Sequence, residues 1–274
     1  MIILSDKPGQ LGNLLFLYAH FKAYCTENNV QLLNPAFHNY RPYFSGTSGF
    51  SLTGNKFVYK LSYFMARVLS RVGINNRLLG VVALGHDEKL DLAQAPQLKS
   101  ALCFVQGWLF RSDVMLVRHK KEIKTFFGTS EFFSAGVRKF FADNFPDQHE
   151  TVIGIHMRHG DYRTFENGKY YYDASRYVSL MKELSVLFSY KNPRFLICTN
   201  EKTAFDEKDT DGLKITYAPG HELLDLYCLA ECGYIAGPPS TYNMWASFYG
   251  EVPLFTIQPA NNPISEKDFK IYLG

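Results

Sequence analysis

The second half of the chain alternates short apolar runs with stretches of helical period, and few folds tolerate that order. Residues 152–156, 195–198 and 234–236 are apolar almost without interruption, rather than at every second position. A strand that is apolar on both sides must be covered on both sides, which is the habit of parallel sheets flanked by helices. Strands are also expected at 213–217 and 252–257. Between them, Tyr177, Leu180, Met181, Leu184 and Phe188 step at three and four behind Asp173, which can cap a helix there. Further helices are expected at about 222–232 and 241–249.

The first half follows the same plan with more interruptions. A strand over 2–5 leads into the turn 7–13 and a helix over about 13–28, whose Leu14, Leu17, Tyr18, Phe21 and Cys25 form one apolar face. A strand at 30–33 precedes residues 34–54, which read as a long loop on their Pro, Gly, Ser and Asn content. A helix over 55–72 aligns Phe57, Leu61, Phe64, Met65, Val68 and Val72, and its plain reading is a core helix with a solvated basic face. A strand at 102–105 and a helical stretch at 117–127 follow. The polar residues 143–150 form the expected boundary between domains 1–148 and 149–274. With 274 residues, of which 46% are hydrophobic, each half is large enough to bury a core.

Other classes fall away quickly. The charge balance of 29 − 26 = +3 and the lack of a basic–aromatic recognition motif disfavour nucleic acid. Five widely spaced cysteines contain no CxxC pair, so neither a zinc site nor a disulfide framework is supported. His156 and His159 lack a convincing third ligand, and no metal is expected. The apolar start Met-Ile-Ile-Leu is far short of a signal-peptide core, so a reducing cytoplasm is the expected compartment. The charge is unevenly placed, however. No Asp or Glu falls between Glu27 and Asp87, while Arg41, Lys56, Lys60, Arg67, Arg71 and Arg77 do.

Three segments carry chemistry at the end of an expected strand, where open parallel sheets bind ligands. The first, Gly9-Gln10-Leu11-Gly12-Asn13, can bring backbone N–H groups to an anion, or can simply be a tight turn. In the second, a buried strand runs directly into His156-Met157-Arg158-His159-Gly160-Asp161-Tyr162. Arginine suits a diphosphate because its planar fork keeps its charge and donates two parallel hydrogen bonds. The plainer reading of that segment is a surface turn with an Arg–Asp pair. In the third, Gly237-Pro238-Pro239 breaks a strand and Ser240-Thr241 opens a helix, as an anion cradle or as an ordinary N-cap. Two anion-competent turns in one α/β domain favour a nucleotide diphosphate.

In this order the segments resemble the α-1,2-fucosyltransferases and, more distantly, the nodulation and protein O-fucosyltransferases. The family's G-x-L-G-N-x-x-F-x-Y-A block reads Gly9 to Ala19 here, its H-x-R-R-G-D-Y signature reads His156 to Tyr162, and its late S-[ST]-F-S-W-W-A block reads Ser240 to Ala246. Gly107-Trp108-Leu109-Phe110-Arg111-Ser112 is similar to a further G-Y-x-Q-S segment. His159 replaces the second arginine, as in the nodulation enzymes, and Leu14 stands where a glutamine is usual.

The resemblance implies two facing Rossmann-like domains of GT-B type with parallel sheets, the second holding the donor and the first the acceptor. It implies a bacterial-type glycosyltransferase that moves L-fucose from GDP-β-L-fucose to a glycan hydroxyl, with inversion and without a metal or other cofactor. By motif position Arg158 would neutralise the β-phosphate, with His159 beside it. His156 would contact the nucleoside, and Ser240 and Thr241 would add phosphate donors. Asp225 would hold the guanine, while Gly12 and Asn13 would reach the cleft from the first domain. Asp161 and Glu166 are the carboxylates placed to take the acceptor proton. A same-fold enzyme with another nucleotide sugar, and a non-catalytic nucleotide- or glycan-binding relative, are the competing readings. The basic, apolar helix over 55–72 adds the expectation that this face meets an anionic surface, either a membrane at its inner face or an acidic glycan.

Overall fold

Every strand pair in the sheets is parallel, as continuous apolar runs require. The computed structural model describes residues 1–48, 52–201, 205, 208–258 and 263–274, with the backbone alone at 96–97. Its contacts divide into two compact units, Met1–Glu131 with Leu273–Gly274, and Phe132–Tyr272.

The first unit contains β1 (Ile2–Leu4), α1 (Leu11–Glu27), β2 (Leu32–Leu33), α2 (Lys56–Val72), β3 (Leu79–Ala83), β4 (Leu90–Asp91), β5 (Leu102–Gln106), β6 (Phe110–Arg111), α3 (Asp113–Arg118) and α4 (Lys120–Phe126). Its main sheet has the order β2-β1-β5-β3, with β4 and β6 paired apart from it. β1 therefore lies between a strand that follows it directly and one reached by a long crossover. α1 is buried on nearly every side rather than on one face, and it begins at Leu11, so Gly12 and Asn13 lie in its first turn and not in the loop. At Gly9 the backbone is left-handed (φ 67°) and an added Cβ would meet the Asn13 side chain.

Two expectations fail in this unit. Residues 34–54 are not an open loop: short 3-10 turns at Pro35–Asn39 and Arg41–Tyr43 bury Phe37 and Phe44 against Tyr18 and Phe127. Residues 49–51 of that stretch lie outside the described residues. The second correction is α2, whose large apolar stripe faces solvent. Its Ala66 and Leu69 pack on Ile3 and Phe104 of the sheet, because small residues let a helix approach closely, and Ser62 is buried beside them.

The second unit opens with α5 (Glu131–Asn144), which lies ahead of the polar stretch 143–150 and groups with the strands that follow. Then come β7 (Thr151–Met157), α6 (Ala174–Leu187), β8 (Pro193–Thr199), β9 (Ile215–Tyr217), α7 (Glu222–Ala230), β10 (Tyr234–Gly237), α8 (Thr241–Gly250) and β11 (Leu254–Thr256). Asp173 caps α6 by accepting from the Arg176 N–H at 2.9 Å. The sheet order is β11-β10-β7-β8-β9. The chain winds outward from β7 through β8 and β9, then returns to place β10 on the other side of β7. The reversal falls between β7 and β10, and the carboxyl ends of strands at such a point are where doubly wound sheets take their ligands. No helix among the described residues is long and apolar enough to cross a membrane.

Candidate functional site

The two expected anion-binding turns of the second unit meet at that reversal. β7 ends in Met157 and delivers Arg158, while β10 ends in Gly237 and delivers Pro238, Pro239 and Ser240. The strands come so close that a Cβ on Gly237 would stand 2.9 Å from the His156 carbonyl oxygen and 2.7 Å from Asn243 Nδ2. Asn243 is fully buried and donates to the Pro238 carbonyl at 2.8 Å, so it cannot yield. Gly237→Ala is expected to cost about 1–3 kcal/mol of stability in urea unfolding, the range for overfilling a packed site.

Arg158 is held in one orientation. Its side chain is 14% exposed and donates to Asp161 Oδ2 at 2.9 Å, while the guanidinium carbon lies 5.5 Å from the Tyr162 ring centre. The Arg158 N–H points at the Tyr177 hydroxyl (3.4 Å). Tyr162 in turn donates to the Pro239 carbonyl at 2.8 Å and is in hydrogen-bond contact with the Ser240 side chain. The signature loop and the Pro-Pro turn are thereby tied into one unit. Ser240 also caps α8, accepting from the Tyr242 N–H at 3.3 Å. Thr241 is the first residue of α8, so the positive end of that helix opens here.

His156 and His159 part company. His156 is buried, stacked on Tyr242 at 4.9 Å, and burial together with the Arg158 charge lowers its pKa to about 3. It is a neutral imidazole, and its buried Nδ1 finds no protein partner among the described residues. His159 turns inward. Its Nε2 meets the Tyr172 carbonyl at 3.0 Å, its ring packs near Tyr171 and Tyr177, and its N–H donates to Asn200 Oδ1 at 2.9 Å.

Asn200 leads from the loop to a cavity of about 870 Å³ lined by Thr199, Asn200, Glu201, Tyr217, Gly220 and Asp225, among others. Arg158 lies outside this lining. Asp225, near the start of α7, is 6% exposed and accepts from the Gly220 N–H at 2.9 Å. Burial raises its pKa to about 6, against the opposing pull of the Gly220 and His221 N–H groups. A carboxylate with spare acceptor capacity at a cavity wall suits a partner that offers paired N–H donors.

Asp161 is 52% exposed and paired to Arg158. Glu166 is exposed on the next turn in a left-handed backbone (φ 46°, ψ 45°), which Asn167 and Gly168 continue. Such a conformation is costly for a residue with a Cβ and is characteristic of functional loops. In the first unit, Gly12 and Asn13 follow β1, and the Gly107 segment follows the neighbouring β5. The loop after β5 is tied to the loop after β1, where the Gly107 N–H donates to Asp6 Oδ2 at 3.2 Å. No group of three or more His, Cys, Asp or Glu able to hold a metal ion occurs among the described residues.

Sequence reasoning missed Tyr162, Tyr177, Asn200 and Tyr242 as parts of this site. Tyr177 was legible only as part of an apolar stripe, and its hydroxyl reaches β7 because α6 packs on that strand's end.

No family model matches the chain, and no curated protein matches it by sequence. Solved structures do match. A variant of Arabidopsis thaliana FUT1 in complex with GDP is 13% identical, with a TM-score of 0.63 over 98% of this chain and 73% of the other. The fucosyltransferase NodZ from Bradyrhizobium is 17% identical, with a TM-score of 0.62 over 96% of both chains. POFUT1 in complex with GDP-fucose is 9% identical, with a TM-score of 0.56 over 94% of this chain and 98% of the other. At such identities the likeness speaks for architecture, and the chain has the α/β fold that these fucosyltransferase structures share.

Proposed function

We propose that the chain is a glycosyltransferase that moves L-fucose from GDP-β-L-fucose to a hydroxyl of a glycan acceptor. The observation that carries the reading is the meeting, at one strand reversal, of a fixed arginine and a helix start, beside a cavity with a buried carboxylate. The GDP and GDP-fucose bound by the structural neighbours fit that arrangement. Asp225 takes the guanine N–H donors, neutral His156 faces the nucleoside, and Arg158 with the start of α8 takes the diphosphate. Ser240 and Thr241 form that helix start, and His159 holds the loop that carries Arg158. All five cysteines are buried free thiols, which fits a reducing compartment such as the cytoplasm.

Breaking the bond between fucose C1 and the β-phosphate oxygen sends its electron pair to GDP, so negative charge grows on that phosphate. Arg158 and the α8 dipole stabilise this charge more in the transition state than in the ground state. The acceptor oxygen attacks C1 from the opposite side and its proton goes to a carboxylate, giving an α-fucoside. Asp161 is already committed to Arg158, so Glu166 is the proposed base. Gly12 and Asn13 of the first unit are proposed for the acceptor side. An α-1,2 linkage is the one favoured by the sequence motifs. With Arg158 supplying the cation, turnover is expected to survive EDTA.

The reading is tested by NMR of GDP-β-L-fucose with purified protein. Release of GDP together with α-configured fucose or fucoside supports it, and an intact donor under all acceptors tried contradicts it. Glu166 offers a separate check. Glu166→Gly relieves the left-handed backbone and is expected to raise stability by about 0.5–1 kcal/mol net of the entropy that glycine adds to the unfolded chain. Glu166→Gln keeps the strain, and both variants should lose transfer by about 100-fold or more if the carboxylate is the base.

A further inference from the structure

α2 carries three faces where an ordinary surface helix has two. Ser62, Ala66 and Leu69 are buried on the sheet side. Phe57, Leu61, Phe64, Met65, Val68 and Val72 are exposed, Phe57 at 75%, Phe64 at 63% and Val72 at 66%. Lys56, Lys60, Arg67 and Arg71 are exposed as well. At about 100° per residue, the exposed apolar side chains span an arc of about 100° and the cations an adjoining arc of about 60°. Leu78, in the turn after the helix, is a further apolar residue at 75% exposure. Exposed apolar side chains are ordinarily scattered, and a continuous stripe of this size marks a surface that meets something.

The charge pattern says what. No carboxylate occurs on α2, nor anywhere from Asn28 to His86. Two copies of this face brought together would set cations against cations with no acid to relieve them. A hydrated polyanion would satisfy the cations and leave six apolar side chains in water. A bilayer with anionic headgroups satisfies both arcs at once, because long basic side chains reach the headgroups while their neighbours enter the acyl boundary.

We propose that the outer face of α2 docks on the surface of an anionic lipid bilayer. The apolar arc enters the boundary between headgroups and acyl chains, and Lys56, Lys60, Arg67 and Arg71 meet the lipid charge. Neither arc alone suffices: the stripe gives burial without selectivity, and the cations give attraction that salt removes. This docking is independent of the proposed transfer reaction, and its test uses no activity measurement.

The test is cosedimentation of the full chain with vesicles of phosphatidylcholine alone, and of phosphatidylcholine mixed with phosphatidylglycerol. The chain is expected to sediment with the anionic vesicles, to be released by salt, and to stay in solution with the neutral ones. Lys60→Gln/Arg67→Gln/Arg71→Gln is expected to weaken the partition about 100-fold, at roughly fivefold per cation. Leu61→Ser/Phe64→Ser is expected to weaken it about tenfold per side chain. These side chains are exposed, so thermal unfolding of both variants should match the parent. If a variant does unfold, the parent's response to lipid charge and salt decides alone. The proposal is overturned by failure of the parent to bind, by equal partition onto neutral vesicles, or by equal binding to soluble dextran sulfate that Leu61→Ser/Phe64→Ser leaves unchanged. A dimer that Phe64→Ser dissolves, without vesicle binding, overturns it too.

Discussion

Arg158→Ala is expected to lower fucose transfer by about 100- to 1,000-fold, the range for deleting one preorganised donor to a developing oxyanion. The effect should fall on turnover more than on substrate affinity, since the charge on the β-phosphate grows only as the sugar departs. Stability should change little. The partner left behind is Asp161, which is 52% exposed and can be solvated once the guanidinium is gone. Arg158→Lys keeps the positive charge but loses the planar fork and the face that lies over Tyr162, so it should recover only part of the rate. Donor hydrolysis and thermal unfolding, measured on the same three proteins, check this. Near-parental turnover in Arg158→Ala would remove the arginine from the mechanism.

Asp225→Asn is expected to weaken GDP binding about 100-fold, because it removes a charged acceptor from paired N–H donors in a site of low water access. The wild type should also show two opposite responses to pH. Burial raises the Asp225 pKa to about 6, whereas in the unfolded chain a carboxyl of this type titrates near 4. The folded state therefore holds an extra proton between those values. The Asp225 contribution to stability without nucleotide is greatest below about pH 4 and falls as pH rises through about 6, by an amount on the order of 2–3 kcal/mol. In the proposed donor site GDP meets the ionised carboxylate, so its affinity should decrease as pH falls through about 6. Calorimetric titrations with GDP at pH 5 and 8 would show this, and Asp225→Asn should flatten the dependence.

The parts of the fold that were legible in the sequence are those in which one residue answers one local demand. Asp173 caps α6 and Ser240 caps α8 because a short side-chain oxygen beside a helix start has few other uses. The strands around β7 were legible because both of their faces are buried. Long-range packing decided the rest. Periodicity places Phe57, Leu61 and Phe64 on one stripe of α2, but it does not say which stripe meets the sheet. There the small residues Ser62 and Ala66 won, because they allow the closer approach. The turns at 35–43 carry loop-like composition, yet Phe37 and Phe44 are pulled into a core with Tyr18 and Phe127, which lie 109 residues apart in sequence. β3, the apolar run Leu-Gly-Val-Val-Ala, carries the same local strand signal.

The site divides in the same way. Arg158, Asp161, His156 and Ser240 stand in motifs, and the strand reversal gathers them. The motif gives His159 the look of a second phosphate contact, whereas its ring packs among tyrosines and holds the Tyr172 carbonyl. No local pattern announces Tyr162 as the tie between two turns, since the Pro239 carbonyl it binds is 77 residues away.

The second unit is proposed as a guanine-nucleotide donor site, and isothermal titration of the purified chain with GDP, UDP, ADP and CMP decides it. Saturable binding of GDP is expected, at least about 100-fold tighter than that of any of the others, with the preference lost in Asp225→Asn. Tighter binding of UDP, or no nucleotide binding at all by a folded protein, would contradict it.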